Sequence, residues 1–291
     1  MAIPPGKVFF PNSFQELFSS WNSNPDAVLC AGGTEHIRNQ NSRIPAPQRK
    51  IISLDSIEEL QKISRTERYL EIGSMAKLSQ IINLGKIVPE VLIRCLENIA
   101  GPQIRSQATI GGNICNPSVR LDASAPMIAL DAQYELRSAQ SVRWVSASRF
   151  SSQPGPLSLA GQECLTRIRV PLEPWTFAWY RKLNFSLASR HGGCILLILR
   201  NQKDILTDIR VLYSSQAILR EKDAESMLKG KHLPLDHRDA SAFVDAWKNY
   251  LSSRHEDENT AFSGEYGNLS PDLIKIQILR FIESTLSHIS D

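Results

Sequence analysis

Cysteine is scarce in this 291-residue chain, and the cysteines present do not form a metal-binding pattern. There are five, at positions 30, 95, 115, 164 and 194, and no two of them form a C-x-x-C pair. Zinc sites and iron–sulfur clusters require grouped thiolate ligands. The sequence therefore predicts reduced thiols that pack as small hydrophobic side chains, with no zinc site or iron–sulfur cluster in this chain.

Long apolar runs and a strong charge bias are also absent. The longest apolar run, Cys194–Leu199, suits a buried strand and is far shorter than the ~20 residues of a membrane helix. The segment Met1–Phe14 contains three prolines and lacks the basic start and apolar stretch of a signal peptide. The formal net charge is only +3, which disfavours a nucleic-acid-binding face. We expect a cytoplasmic protein that binds neither membranes nor nucleic acids.

Two common nucleotide-binding fingerprints are missing as well, since neither G-x-G-x-x-G nor G-x-x-x-x-G-K-[ST] occurs. Two glycine-containing turns are present instead, AGGTE at 31–35 and TIGGN at 109–113. Glycine lets successive backbone amides approach an anion closely, and Thr34, Thr109 and Asn113 add side-chain donors. Hydrogen bonds to a charged group stabilise by ~1.5–3 kcal/mol each, so such turns can hold a diphosphate without lysine or arginine. Taken singly, each turn is equally an ordinary bend.

Hydrophobic periodicity predicts strands and helices along the whole chain, and the order of strands followed by helices after position 174 predicts an α+β second domain. Strands are predicted at 26–30, 50–54, 69–73, 133–137, 142–145, 165–170, 177–182, 194–199 and 208–214. Helices are predicted at 14–21, 57–63, 78–82, 89–99, 223–229, 239–252 and 271–287. Prolines at 171–174 follow the strand at 165–170, and this break in composition predicts a domain boundary there.

Several segments resemble one known family. The stretch IAGPQIRSQATIGGNICN at Ile99–Asn116 resembles the second flavin-binding segment of bacterial xanthine dehydrogenase FAD subunits, and LCAGGTE at Leu29–Glu35 resembles their first FAD loop. The similarity continues through Ile72–Ser74, Leu121–Pro126, Ile168–Pro171, Tyr180–Leu183 and Glu225–Lys231. The chain thus resembles the FAD-binding medium subunit of the xanthine dehydrogenase and carbon monoxide dehydrogenase family of molybdenum hydroxylases.

The resemblance implies both a fold and its domain limits. A two-lobed α+β FAD-binding domain of the vanillyl-alcohol oxidase type is expected at 1–174, with lobes at about 1–58 and 59–174. A small α+β C-terminal domain of the carbon monoxide dehydrogenase flavoprotein type, with a three-stranded sheet plus helices, is expected at 175–291. In this family FAD lies between the two lobes.

The resemblance also assigns cofactor-binding residues. They are Val28, Leu29, Cys30, Ala31, Gly32, Gly33, Thr34, Glu35, Thr109, Ile110, Gly111, Gly112, Asn113, Asp122, Leu165 and Lys182. The two glycine segments would hold the diphosphate and neighbouring groups, mainly through backbone amides. Asp122 would reach the ribityl or ring side, Leu165 would pack near the flavin, and Lys182 would favour the reduced, anionic ring electrostatically. From the residues alone, a helix cap, a core leucine and a surface charge are the alternatives.

The implied function is electron transfer within a larger enzyme. FAD, bound non-covalently, would accept electrons from [2Fe-2S] clusters on a partner subunit, after a molybdenum cofactor on another subunit has hydroxylated a heterocycle. The electrons would pass to NAD or another acceptor. Alternatives are a structural subunit that has lost FAD and a self-standing flavin oxidase.

Three departures from the family pattern bear on these alternatives. Polar residues at His36–Gln40 follow the first loop, Arg120 stands where small residues are usual, and Arg190 stands where many relatives carry an aspartate. If FAD binds, Gly111→Val and Gly112→Val are expected to remove it from a folded chain, because a branched side chain would block the approach of phosphate.

Overall fold

The computed structural model describes residues 7–35, 37, 50–116, 122–151, 158–183, 193–215, 218–253 and 271–290. Its strands form three sheets, on which its helices pack. The strands are β1 Val8–Phe9, β2 Val28–Cys30, β3 Ile51–Ser53, β4 Ile63–Arg65, β5 Tyr69–Gly73, β6 Gln133–Arg137, β7 Val142–Ser146, β8 Cys164–Pro171, β9 Phe177–Lys182, β10 Cys194–Gln202, β11 Ile205–Ser214 and β12 Ile218–Leu219. The helices whose bounds are described are α1 Phe14–Ser23, α2 Leu78–Asn83, α3 Glu90–Glu97, α4 Pro102–Arg105, α5 Ile110–Ile114, α6 Ser124–Ala129, α7 Ala147–Phe150, α8 Lys222–Leu228, α9 His237–Ser253 and α10 Pro271–Ser290.

A three-stranded parallel sheet, in the order β1-β3-β2, forms the first lobe together with α1. The helix α1 begins where the sequence predicts, because the Ser13 hydroxyl accepts a hydrogen bond from a first-turn amide at 3.2 Å. Leu17 and Phe18 of this helix are buried against the sheet. Parallel strands end at the same edge of a sheet, so the loops that follow β2 and β3 lie side by side.

A five-stranded antiparallel sheet, in the order β4-β5-β8-β6-β7, forms the second lobe. Its core includes Tyr134 of β6, whose ring meets that of Phe150 edge to face with 5.2 Å between centroids. The helix predicted at 57–63 is wrong. Glu58–Leu60 forms a single 3-10 turn, and Ile63 begins β4 because it pairs with β5.

The C-terminal sheet is antiparallel, in the order β12-β11-β10-β9. It has three long strands, as predicted, and the two-residue strand β12 at one edge. Alternate residues of β10 point into different cores, since Leu196 and Ile198 join the core of the second lobe, whereas Leu197 and Leu199 pack with α9 and α10. Burial of both faces explains the continuous apolar run in this strand.

An arginine on β11 ties the C-terminal sheet to the second lobe. Arg210, whose side chain is 13% exposed, lies 2.6 Å from the carboxylate of Asp131 and 3.0 Å from that of Asp208. Its guanidinium also lies 4.9 Å from the ring centroid of Trp175, and that of Arg200 lies 5.1 Å from the same centroid. Trp175 belongs to the segment that joins β8 to β9, so this clamp fixes the chain where it passes between the two sheets.

The limits of the lobes and of the C-terminal domain, near 58 and 174, stay predictions. The sheets themselves occupy separate stretches of the chain, with the segment 172–176 between the last strand of the second lobe and the first strand of the C-terminal sheet. Within the described ranges, no helix is both long enough and apolar enough to cross a membrane.

We expect Arg210→Met to lower the free energy of unfolding by ~2–4 kcal/mol, because the buried carboxylate of Asp208 loses a partner. The midpoint of urea denaturation, followed by circular dichroism, measures the change. Arg94→Met is the matched control, since Arg94 forms an exposed i,i+4 pair with Glu90. Such pairs stabilise by about 0.5 kcal/mol or less. Equal shifts of the midpoint in both variants would contradict the role of the clamp.

Candidate functional site

The first glycine segment forms a bend at the carboxyl end of β2. Gly33 adopts φ +68°, a left-handed conformation that favours glycine, and a helical turn begins beyond it. The half-buried backbone amides of Ala31, Gly32, Gly33 and Thr34 donate to no acceptor within the described residues. Successive amides in such a bend are the usual form of an anion-binding nest. The segment therefore offers four donors to an anionic ligand.

The second glycine segment has a different internal structure. Thr109 caps the short helix α5, and its hydroxyl accepts a hydrogen bond from the Gly112 amide at 3.1 Å. The Ile110 amide donates to the Ala76 carbonyl at 3.0 Å, and the Gly111 amide donates to the Ser74 carbonyl at 2.8 Å. These amides hold the segment to the stretch that follows β5. The predicted role of backbone donors is therefore better supported for the first segment than for the second.

The two glycine segments are in direct contact. A Cβ atom on Gly32 would lie 2.1 Å from the backbone carbonyl oxygen of Gln107, a distance that no side chain can occupy. A Cβ atom on Gly112 would lie 3.4 Å from the Cβ of Ala31. Segments that are more than seventy residues apart in the chain thus meet at the carboxyl edge of the parallel sheet, where ligands of α/β sheets commonly bind.

The other assigned residues of the first segment lie close by. Val28, Leu29 and Cys30 form β2 and pair with β3, and Glu35 lies in the helical turn beyond the nest. Burial, and then the charge of Asp55, raise the pKa of the Cys30 thiol. This thiol is therefore protonated near neutral pH.

Asp122 and Lys182 face each other between the second lobe and the C-terminal sheet. The Lys182 Nζ lies 2.6 Å from Asp122 Oδ2 and also donates to the Asn98 carbonyl at 3.2 Å. The side chain of Asp122 is 14% exposed, and that of Lys182 is 24% exposed. Burial raises the pKa of Asp122, although Lys182 opposes this. Asp122 does not cap α6, which has no side-chain cap, and Lys182 is partly buried and paired with Asp122.

Asn113 connects the second glycine segment to this ion pair. Its Oδ1 accepts a hydrogen bond from the amide of Ala123, the residue after Asp122, at 3.2 Å. Leu165, on β8, is only 4% exposed and lies in the core of the second lobe. Its proposed contact with the flavin stays a prediction.

Some sequence expectations fall outside the described residues. These are the departures at His36, at 38–40, at Arg120 and at Arg190. One site neighbour was missed by the sequence reasoning. The Ser74 hydroxyl is buried and has no hydrogen-bond partner among the described residues, and the Ser74 Cβ would lie 2.7 Å from a Cβ on Gly111. The signal available was the family-like IGS at 72–74, which the sequence reasoning noted without assigning it to the site.

A fold in which two glycine segments meet at the carboxyl edge of a parallel sheet defines a domain that binds a phosphate-bearing cofactor. The family model described as "FAD binding domain in molybdopterin dehydrogenase" matches residues 4–173. The chain therefore belongs to this family, and the predicted resemblance is confirmed.

Relatives with known names support the same assignment. The chain is 36% identical over 157 residues to the xanthine dehydrogenase FAD-binding subunit of Escherichia coli O157:H7, with 52% of each chain covered. It is 31% identical over 248 residues to the nicotinate dehydrogenase FAD-subunit of Eubacterium barkeri, with 81% of this chain and 83% of that protein covered. The match spans about half the length of the Escherichia coli relatives.

Solved structures establish the fold. Quinoline 2-oxidoreductase from Pseudomonas putida 86 matches with a TM-score of 0.80 and 20% identity, over 100% of this chain and 98% of that chain. Carbon monoxide dehydrogenase from Oligotropha carboxidovorans matches with a TM-score of 0.82 and 21% identity, over 100% and 99%. The predicted α+β fold, a two-lobed FAD-binding domain followed by a smaller sheet domain, is confirmed.

The geometry of the two glycine segments fits the binding of FAD. The first segment supplies amides without an internal acceptor, and glycine at 32 and 112 keeps side chains out of the contact between the two segments. Within the described residues, no group of three or more His, Cys, Asp or Glu side chains could hold a metal ion. Backbone amides of this kind are suited to a diphosphate.

The two glycines of the second segment differ in what a substitution would do. A Cβ on Gly111 would lie 2.6 Å from the backbone oxygen of Ser74, so the expectation that Gly111→Val stays folded is replaced. We expect Gly111→Ala to lower the free energy of unfolding by ~1–3 kcal/mol. A Cβ on Gly112 would lie 2.9 Å from the Thr109 hydroxyl, which is part of a side chain, and alanine favours a helix, so we expect Gly112→Ala to fold. The same Cβ would lie 3.4 Å from the Cβ of Ala31 in the first segment, so we expect this variant to bind FAD more weakly. Thermal unfolding measures the stability of Gly111→Ala and Gly112→Ala, and titration with FAD measures their affinity. Equal changes in stability and affinity in the two variants would contradict this distinction.

We expect Lys182→Met to raise the pKa of Asp122 further, because the buried carboxylate loses its cation. Near neutral pH the free energy of unfolding should fall by ~2–4 kcal/mol. A carboxyl group whose folded-state pKa exceeds its unfolded-state pKa loses stability as the pH rises between those two values. The deficit should therefore shrink as the pH falls toward about 4, the range of unperturbed aspartate. The midpoints of urea denaturation of the parent chain and of Lys182→Met, measured between neutral pH and about pH 4, test this prediction. A loss of stability that does not change with pH would contradict the pairing of Lys182 with Asp122.

Proposed function

We propose that this chain is the FAD-binding electron-transfer subunit of a multi-subunit molybdenum hydroxylase of the xanthine dehydrogenase type. The observation that carries the proposal is the row of four amides at 31–34, which has no acceptor among the described residues and lies against the second glycine segment. Family membership supplies the identity of the ligand, because the matched model is an FAD-binding domain.

In this proposal each group of residues has a distinct task. The amides at 31–34 would hold the diphosphate, and the segment at 109–113 would position them by contact and hold the neighbouring part of the cofactor. Asp122 and Lys182 would lie on the ribityl and ring side, with Leu165 packed nearby. FAD, when bound, supplies the electron-carrying chemistry, while the protein binds, orients and tunes it.

Lys182 would tune the flavin electrostatically. A cation held at low exposure stabilises nearby negative charge more than it would in water. Asp122 fixes the position of the Lys182 ammonium at 2.6 Å and offsets its charge. The pair therefore places a cation at a fixed point without leaving an unpaired buried charge.

The partners proposed are an iron–sulfur subunit and a molybdenum-cofactor subunit. Cluster ligation requires grouped thiolates, and no two of the five cysteines form a C-x-x-C pair. Electrons would therefore enter from clusters on a partner. The proposed acceptor is NAD, for which spectrophotometric NADH formation by the assembled enzyme is the test.

FAD content tests the proposed function directly. We expect the purified chain, or the chain reconstituted with FAD, to be yellow and to contain equimolar FAD, because the nest supplies several charge-assisted hydrogen bonds. Visible absorbance after gel filtration measures this, with Gly112→Val as the variant expected to lose the cofactor.

Two results would replace the proposal. A folded, colourless chain that takes up no FAD would favour a structural subunit of the same fold. Turnover of a small substrate with O₂ by the chain alone, without any partner, would favour a self-standing flavin oxidase.

A further inference from the structure

Lys77 is the N-cap residue of the helix α2, a position where lysine is unfavourable. Ser, Thr, Asp and Asn are preferred at a helix N-cap because their oxygen atoms accept hydrogen bonds from first-turn amides. The ammonium group of lysine can only donate, and its charge is repelled by the positive end of the helix dipole. Lys77 makes no side-chain capping bond, and its own amide is satisfied by the Gln80 side chain at 2.9 Å. A local cost of this kind is typical of a residue kept for function.

The backbone of Lys77 is bound to the second glycine segment. Lys77 forms an antiparallel bridge with Thr109. On either side of it, the Leu78 amide donates to the Ala108 carbonyl, and the Ile110 amide donates to the Ala76 carbonyl, both at 3.0 Å. The position of Lys77 is therefore fixed relative to the glycine segment.

The side chain of Lys77 crosses to the first lobe. Its Nζ lies 3.5 Å from Asp55 Oδ1, and the Lys77 side chain is only 23% exposed. Asp55 follows Leu54, whose amide donates to the Cys30 carbonyl at 3.0 Å, immediately before the nest. The Cys30 sulfur would itself lie 3.8 Å from a Cβ on Gly33. The ammonium group thus lies at the carboxyl edge of the parallel sheet, where the nest is formed.

The pair with Asp55 leaves Lys77 free to bind another anion. The Asp55 side chain is 65% exposed, and exposed ion pairs at such distances are weak. An ammonium group has three donors, of which this carboxylate takes one. An anion in the nest would compete with a partner that is already well solvated.

We propose that Lys77 is a further positioning residue of the site, which supplies a cation to the diphosphate held by the amides at 31–34. This inference rests on the proposed function, and it adds a basic side chain to a diphosphate site that the sequence predicts to work mainly through backbone amides. Asp55 would then act as a competitor that limits the affinity.

Titration of FAD into the cofactor-free chain, followed by quenching of flavin fluorescence, tests this inference. We expect Lys77→Thr to weaken FAD binding roughly three- to tenfold at low ionic strength, and the difference to narrow as salt is added. The same variant should raise the Tm of the cofactor-free chain, because threonine caps the helix. A purely structural lysine would not produce weaker binding together with higher stability.

The matched control is Lys86→Thr, which removes the same charge from an exposed lysine nine residues further on. It should leave FAD affinity unchanged. Asp55→Asn should strengthen binding in the parent chain and have a smaller effect in Lys77→Thr, which a double-mutant cycle measures.

The outcomes separate the two hypotheses. If the parent chain binds FAD and Lys77→Thr binds equally well, or if Lys77→Thr and Lys86→Thr weaken binding alike, the inference about Lys77 is overturned and the proposed function stands. If the folded parent chain binds no FAD, the proposed function fails and the inference fails with it.

Discussion

The contact between the backbone at Gly32 and the carbonyl of Gln107 determines the shape of this site. A Cβ at position 32 would lie 2.1 Å from that oxygen, so the two lobes can approach only because one of them presents a bare Cα. The amides at 31–34 lie at this contact and have no acceptor among the described residues. Ligand binding and lobe packing therefore depend on the same glycine.

The two glycine segments look alike in sequence, yet their backbone amides are used differently. The amides of the second segment donate to the carbonyls of Ser74 and Ala76 in the stretch after β5. Its Asn113 side chain accepts a hydrogen bond from the amide of the residue after Asp122. A rigid segment of this kind costs little further conformational entropy when a ligand binds. In the proposed function, the first segment would provide the hydrogen bonds to the ligand, and the second would provide the surface against which the first is held.

Much of the fold follows from local patterns, whereas the site depends on contacts between distant residues. The helix at 14–21, the strand at 69–73 and the buried run in β10 could be predicted because hydrophobic periodicity acts within a few residues. The helix predicted at 57–63 failed because pairing with β5 overrode a short helical pattern. The convergence of the glycine segments was reachable only through family resemblance, since no local signal reports that positions 32 and 107 meet. The hydrogen bond from the Gly111 amide to the Ser74 carbonyl was likewise hinted at only by the family-like IGS at 72–74.

Two lysine–aspartate pairs in this region differ in exposure, and the difference separates their roles. Breaking the pair of Lys182 with Asp122 would leave a buried charge without a partner, which is unfavourable. The Lys182 ammonium is therefore held at one point. The pair of Lys77 with Asp55 is longer and its carboxylate is well solvated, so its ammonium can change partner at little cost. A site for a charged cofactor benefits from both kinds of pair. A fixed cation sets the electrostatic environment of the reactive end, while an exchangeable one strengthens binding at the charged end without leaving an unpaired buried charge.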